Sequence, residues 1–310
     1  VNWRRLVPGP EYAALGVLII LVLVNALFTP NFGTASNLWN VLLQLSTVML
    51  AAVGMTFVIA TGGVDLSVGS TMAIAGAIAA VLAPQGAAIS LGAALTGATL
   101  VGVLNGTLIA WLRVQPIVVT LATLIAGRGL AQIISHDGEL VSIDQPFFLA
   151  LGRGHVGPVP IPVIVALTAV AAAVFVLRAT TLGRYVLAVG GNARAARLAG
   201  VPVRKTLITV YAASAFLSGV AGLIVAARLG ASDAAKIGQN MELDAIAAVV
   251  VGGTALAGGR ATIGGTVVGA LIMQVIATSF NMLLVPYSWS LALKAAIILI
   301  AVYLQRGKRA

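Results

Sequence analysis

Apolar residues along this chain fall in long unbroken blocks separated by short polar connections. Blocks run over residues 12–28, 40–60, 70–83, 89–112, 117–134, 161–178, 206–227, 244–257, 262–283 and 289–304. A helix that crosses the roughly 30 Å hydrocarbon core of a bilayer needs about 20 mostly apolar residues. The pattern therefore predicts an all-α polytopic membrane protein with about ten transmembrane helices, some of them short or broken. The third and eighth blocks are the short ones, and glycines flank both. Such segments suit re-entrant or interrupted helices better than simple rods.

The polar connections set an orientation, because cytoplasmic loops carry an excess of Lys and Arg. Arg4 and Arg5 precede the first block, and Arg306, Lys308 and Arg309 follow the last. The segment 178–205 holds Arg178, Arg184, Arg194, Arg197, Arg204 and Lys205 without an acid. These three regions are expected in the cytoplasm, so both termini lie inside. The segment 135–160 holds Asp137, Glu139 and Asp144 against Arg153 and is expected outside. The segment 228–244 holds Asp233, Glu242 and Asp244 against Arg228 and Lys236, and is expected outside as well. The first block ends in Leu27-Phe28-Thr29-Pro30, not at a small-x-small cleavage site, so it is expected to stay in place as a span.

Composition agrees with the pattern. Hydrophobic residues make up 60% and charged residues 8%, against about 45–50% and about 25% in soluble domains. The net charge of +10 is an orientation signal spread along an apolar chain, which excludes a nucleic-acid-binding surface. The absence of cysteine excludes a disulfide scaffold, a zinc ribbon and a thiol nucleophile.

Chemistry-bearing residues are few. His136 and His155 share one outer loop, too few for a metal site. The nearest approach to a phosphate-binding loop, Gly200–Thr206, contains a proline and lacks the glycine before the lysine, so the chain is not expected to bind ATP. Gln44, Asn105, Thr107, Thr120, Thr123, Gln274 and Asn281 lie on apolar runs, where such groups bond between helices or face a polar solute. Arg128 and Lys294 also fall in spans, close enough to an outer end to snorkel. Most of the 35 glycines serve close helix packing. The pairs Gly62-Gly63 and Gly252-Gly253 differ, because each could break a helix beside a water-filled path. Residues 62–69 can be laid over 252–259, a faint internal repeat.

The inner segment 179–205 is the most loaded polar stretch. Asn192 is a good N-cap for a short helix over residues 193–199. Gly200 suits the end of that helix, and Pro202 prevents its continuation. The helix would carry Arg194 and Arg197 on one side and small apolar residues for packing on the other.

These residues resemble a known family. The stretch Thr61-Gly-Gly-Val-Asp-Leu-Ser-Val-Gly-Ser70 looks like the signature of the ribose-type sugar permeases of ATP-binding-cassette (ABC) importers. Gly183-Arg-Tyr, Ala188-Val-Gly-Gly-Asn192, Ala195-Ala196 and Gly200-Val are similar to that family's loop facing the ATPase. Leu243–Ala247, Val251–Gly253 and Gly258-Gly259 are similar to a third block, and Asn105-Gly106, Pro116, Thr120-Leu121 and Arg128-Gly129 fit the spacing between. The resemblance runs from about residue 37 to 283. One departure is Ala261, where the family pattern leads us to expect a glycine.

The resemblance implies a single permease domain over 1–310, with residues 179–205 as its cytoplasmic coupling loop. It implies the bacterial inner membrane as location, and import of a pentose or hexose by alternating access. Partners implied are ATP-binding cassette subunits, a periplasmic or lipid-anchored sugar-binding protein and a second permease chain, besides membrane lipid. The chain would be no enzyme and bind no cofactor, with Mg-ATP held by the partner subunit. Arg184, Gly190, Gly191, Asn192, Arg194, Ala195, Ala196, Arg197 and Gly200 are the implied ATPase-coupling residues. Gly62, Gly63, Asp65, Ser67, Gly69, Asn105, Thr120, Gly252 and Gly253 are the implied pathway residues, with Asp65 also suited to capping the next helix. Two alternatives stand beside this. One is an ABC permease for branched-chain amino acids or a signalling sugar derivative. The other is an ion-coupled secondary transporter.

Overall fold

In the computed structural model, which describes residues 10–306, the apolar blocks are helices with identifiable start and stop signals. The chain runs α1 (Pro10–Phe28), α2 (Ala35–Ala60), α3 (Val68–Leu82), α4 (Ala87–Leu112), α5 (Pro116–Ile134), α6 (Pro146–Arg153), α7 (Ile161–Ala179), α8 (Thr181–Leu198), α9 (Val203–Leu229), α10 (Met241–Val251), α11 (Ile263–Met282) and α12 (Tyr287–Arg306). Thr34 caps α2 by accepting from the Asn37 N–H at 3.3 Å. Proline opens α5 and α6, where its missing N–H has no intrahelical role. Gly230, in the left-handed region, closes α9. Two short antiparallel pairs, β1 (Val141–Ser142) with β4 (Ala231–Ser232) and β2 (His155–Val156) with β3 (Val159–Pro160), organise the connections that flank α6 and precede α10.

Among the described residues, seven helices are long and apolar enough to cross a membrane: α2, α3 with its 3-10 extension to Gln85, α4, α5, α7, α9 and α11. Helices α1 and α12 add shorter apolar stretches over residues 14–28 and 288–300. Helix α10 has 11 residues, or about 17 Å at 1.5 Å per residue, roughly half the hydrocarbon core. The short eighth block is therefore a half-length helix. Arg4, Arg5, Lys308 and Arg309, used above for orientation, lie outside the described residues.

Helix α2 forms the axis of the body. Every residue from Leu45 to Ala60 is buried, enclosed by α7, α9, α10 and α11. Helices α4, α5 and α7 instead expose apolar side chains such as Leu104, Ile125 and Phe175, as a lipid-facing surface requires. Small residues bring the helices together. A Cβ at Gly106 would lie 2.6 Å from the Ile208 Cα, so α4 and α9 meet backbone to backbone there.

The faint repeat has a structural counterpart in a different register. Gly62 (φ 83°) ends α2 and Gly253 (φ 88°) ends α10. The next amides turn back alike: Gly63 N–H donates to the Val58 carbonyl and Thr254 N–H to the Val249 carbonyl, both at 3.2 Å. The equivalence is thus Gly62 with Gly253, one residue away from the pairing of 62–69 with 252–259. Gly252 occupies the place of Thr61. Ala261 is outside the positive-φ set, so the glycine expected there is not needed.

The segment 228–244 also departs from a simple outer loop. Residues 232–238 run along α3, with Ser232 and Ile237 beside Gly76 and Gly238 against Gly69. Glu242 and Asp244, expected outside, stand in the first turn of α10, where the helix dipole favours acids. Glu242 is buried and Asp244 half-buried. Each has a basic side chain from another helix nearby, Arg128 from α5 and Lys294 from α12.

Candidate functional site

The segment 179–205, expected inside, folds as two helical pieces at an angle before α9 begins. Asn192 has extended backbone (φ −163°, ψ 100°) in the middle of α8 and divides Thr181–Gly191 from a two-turn helix over 193–198. Its side-chain oxygen accepts from the N–H groups of Arg194 (3.0 Å) and Ala195 (2.9 Å), the N-cap expected from sequence. At the other end Gly200 takes φ 82°. The Val201 N–H returns to the Ala196 carbonyl at 3.0 Å, which closes the helix. The first piece was read as loop. The Gly190-Gly191 pair hid it, although Thr180 caps it through the Gly183 N–H.

The two small residues of the short helix face opposite ways. Ala196 is buried against Val189 and Val203. Ala195 is exposed, with Arg194, Arg197 and Ala199, and Arg184 is exposed on the first piece. Leu198, expected on the packing face with Ala195, Ala196 and Ala199, is instead 84% exposed, and of these four only Ala196 is buried. Arg204 stacks over the Trp111 ring at 4.2 Å and ties the start of α9 to the end of α4.

Gly190 connects this unit to the body. A Cβ there would overlap the Ala60 carbonyl oxygen and lie 2.5 Å from the Gly259 nitrogen. The same Ala60 carbonyl accepts from the Gly259 N–H at 2.9 Å. Gly258 (φ 81°) sits where a Cβ would be 2.8 Å from the Gly62 nitrogen and 2.9 Å from the Gly190 oxygen. The end of α2, the α10–α11 connection at Gly258-Gly259 and helix α8 therefore meet at one point through bare backbone. Gly191 faces open space. Sequence reasoning had Gly190 and Gly62 but not their contact with Gly258 and Gly259.

The pathway candidates form a buried polar network. Asp65 Oδ1 accepts from the Ser67 N–H (3.0 Å) and Ser67 Oγ (2.6 Å), and Oδ2 accepts from Ser214 Oγ (3.1 Å). Ser67 Oγ in turn accepts from Asn105 Nδ2 at 2.9 Å. Asn105 Oδ1 accepts from Thr123 Oγ1 at 2.6 Å. Thr120 Oγ1 reaches the Val64 carbonyl at 3.2 Å. The network spans the α2–α3 loop, α4, α5 and α9, and Asp65, Ser67, Asn105, Thr120 and Ser214 are all at most 1% exposed. Asp65 holds the entry of α3 through an Asx turn, two residues before the N-cap Ser67. Gly63 leaves room for the buried Tyr211 hydroxyl. Gly252 contributes its carbonyl to Thr262 Oγ1 (2.9 Å) and packs against Gly265. Among the described residues no group of His, Cys, Asp and Glu could hold a metal.

Residues 37–302 match the family model described as branched-chain amino acid transport system / permease component. The chain is 40% identical over 298 residues to a ribose import permease protein of Haemophilus influenzae, covering 94% of this chain and 92% of that one. It is 40% identical over 307 residues to the galactofuranose transporter permease protein of Escherichia coli, covering 94% and 88%. It is 38% identical over 296 residues to an L-arabinose ABC transporter permease protein of Azospirillum brasilense, covering 94% and 86%. No solved structure matches.

Proposed function

The chain belongs to the family described as branched-chain amino acid transport system / permease component, and on that premise we propose that it is the membrane permease of an ABC importer for a small sugar. Sugar is preferred over a branched-chain amino acid because the relatives above are named for ribose, galactofuranose and L-arabinose. It is a multi-pass protein of the bacterial inner membrane. The seven long apolar helices, with α1, α10 and α12, make ten membrane segments, and both termini lie in the cytoplasm.

The observation that carries this reading is the Asn192-capped helix joined through Gly190 to the end of α2 and to the α10–α11 connection at Gly259. An ATP-binding subunit docks on the exposed Arg194, Ala195, Arg197 and Leu198 face. Arg184 lies on the same cytoplasmic unit. Displacement of the short helix passes to Ala60 and Gly259 without a side chain to absorb it, because the contact is backbone on backbone. Helix α2 and the α10–α11 connection then shift together and switch access between the two sides. ATP changes the equilibrium only through its different affinity for the two states, so the docking must be stiff. Mg-ATP is bound by the partner subunit. A second permease chain completes the path on the lipid-free side of α5, and a soluble sugar-binding protein delivers the solute from outside.

Purification of this chain from its host membrane tests the assignment. An ATP-binding subunit should co-purify in equal amount, and the chain alone should hydrolyse no ATP. Purification as a stable oligomer without any ATP-binding subunit, active in solute uptake, would remove it.

A further inference from the structure

Ionisable side chains inside an apolar helical body are costly and are retained with a partner or a task. Asp65, Arg128, Glu242, Asp244 and Lys294 lie within the packed body of this chain. Lys294 Nζ bonds Asp244 Oδ1 at 2.7 Å and forms a closed pair. Asp65 accepts three hydrogen bonds from Ser67 and Ser214. Glu242 differs. It is 9% exposed, and its Oε2 is buried without a hydrogen-bond partner.

Arg128 is its electrostatic neighbour from α5, yet the two groups make no ion pair within 4.0 Å. One guanidinium nitrogen of Arg128, Nη1, donates to the carbonyls of Ala234 (3.0 Å) and Ile237 (2.6 Å). That fixes its head at the irregular segment leading into α10. Gly69 is what makes room for the carboxylate, since a Cβ there would lie 2.5 Å from Glu242 Oε2.

We propose that Glu242 and Arg128 form a transient contact site for the hydroxyl groups of a neutral polyhydroxylated solute, placed between α5 and α10. A hydroxyl donates to Glu242 Oε2 and accepts from the Arg128 guanidinium, which is the chemistry each group offers. The two charges cancel, so a neutral sugar meets hydrogen-bonding capacity without a fixed net charge. The site is closed in this conformation, and separation of α5 from α10 opens it. This inference rests on the transport reading above.

The test uses the complete transporter in vesicles, with its ATP-binding subunit and binding protein, and wild-type, E242Q, E242D and R128K chains. Initial uptake of D-ribose, L-arabinose and D-fructose is measured with the same binding protein throughout. E242Q and R128K should change the ratio of rates among the three sugars by about tenfold, the rate equivalent of about 1.4 kcal/mol. E242D keeps the charge and should stay nearer the wild-type ratio, and R128K alone carries the test should E242Q fail to assemble. Equal loss for all three sugars, the mark of a merely structural role, or unchanged ratios would overturn the site. A wild-type complex that takes up none of the sugars with ATP would overturn the transport reading instead.

Discussion

Asn192→Ala removes the single side chain that starts the two-turn inner helix. Two turns are too short to persist alone, because nucleation is unfavourable and few bonds follow it. The helix over 193–198 therefore depends on its cap and on the buried Ala196 beneath it. Loss of an Asn cap costs roughly 0.5–2 kcal/mol, typically about 1, whereas Gly in the same place costs only a few tenths. At about 0.59 kcal/mol for RT, a loss of about 1 kcal/mol raises the open population about fivefold. Amide hydrogen exchange of the complex in lipid nanodiscs reads this directly. The amides of residues 194–199 should exchange about fivefold faster in N192A, less so in N192G, and at nearly the wild-type rate in N192D. Sugar uptake per ATP hydrolysed should fall in the same order. Asn192 is itself exposed, so a global loss of protection is not expected. Equal exchange in N192A and wild type would refute the cap as the source of the helix's order.

Three further comparisons of variants test the surrounding geometry. Gly190→Ala drives a methyl group into the Ala60 carbonyl and Gly259, at a cost of about 1–3 kcal/mol by overpacking, and should abolish ATP-driven uptake, while Gly191→Ala, facing open space, should leave it intact. Ala196→Glu buries a carboxylate against Val189 and Val203 and should raise exchange across the short helix, whereas Ala195→Glu should weaken co-purification of the ATP-binding subunit with exchange unchanged; identical behaviour of the two would contradict their opposite faces. Lys294→Met leaves Asp244 half-buried without its cation, which should lower the unfolding free energy by roughly 3–5 kcal/mol, and the double variant with Asp244→Leu should regain most of the lost thermal stability.

Most of the fold is written in the apolar blocks. All ten are helices in the structure, and the eighth is the half-length one. The Asn192 cap and the Gly200 stop are likewise legible, because local hydrogen bonds decide them. What stays hidden is contact between distant segments. Nothing near Gly190 says that it will touch Ala60 and Gly259, and a double glycine reads locally as a helix breaker even where it lies in a helix. Glu242 and Asp244 read as outer-loop acids because the basic groups beside them, Arg128 and Lys294, come from other helices. The repeat slips by one residue because glycine identity was matched. The turn geometry, which pairs Gly62 with Gly253, is visible only in three dimensions. Thr120 and Asn105 could be singled out as polar groups on apolar runs. Their joining through Ser67 and Thr123 to Asp65 could not.

The proposed function requires that sugar move at the expense of ATP hydrolysed by a separate subunit. Vesicles containing the permease, the ATP-binding subunit and externally added sugar-binding protein decide it by uptake of radiolabelled D-ribose, L-arabinose and D-fructose. At least one sugar should accumulate when ATP is inside, and none should when ATP is absent or the ATP-binding subunit is omitted. Accumulation driven by an imposed ion gradient, without ATP or that subunit, would contradict the claim and make the chain a secondary transporter.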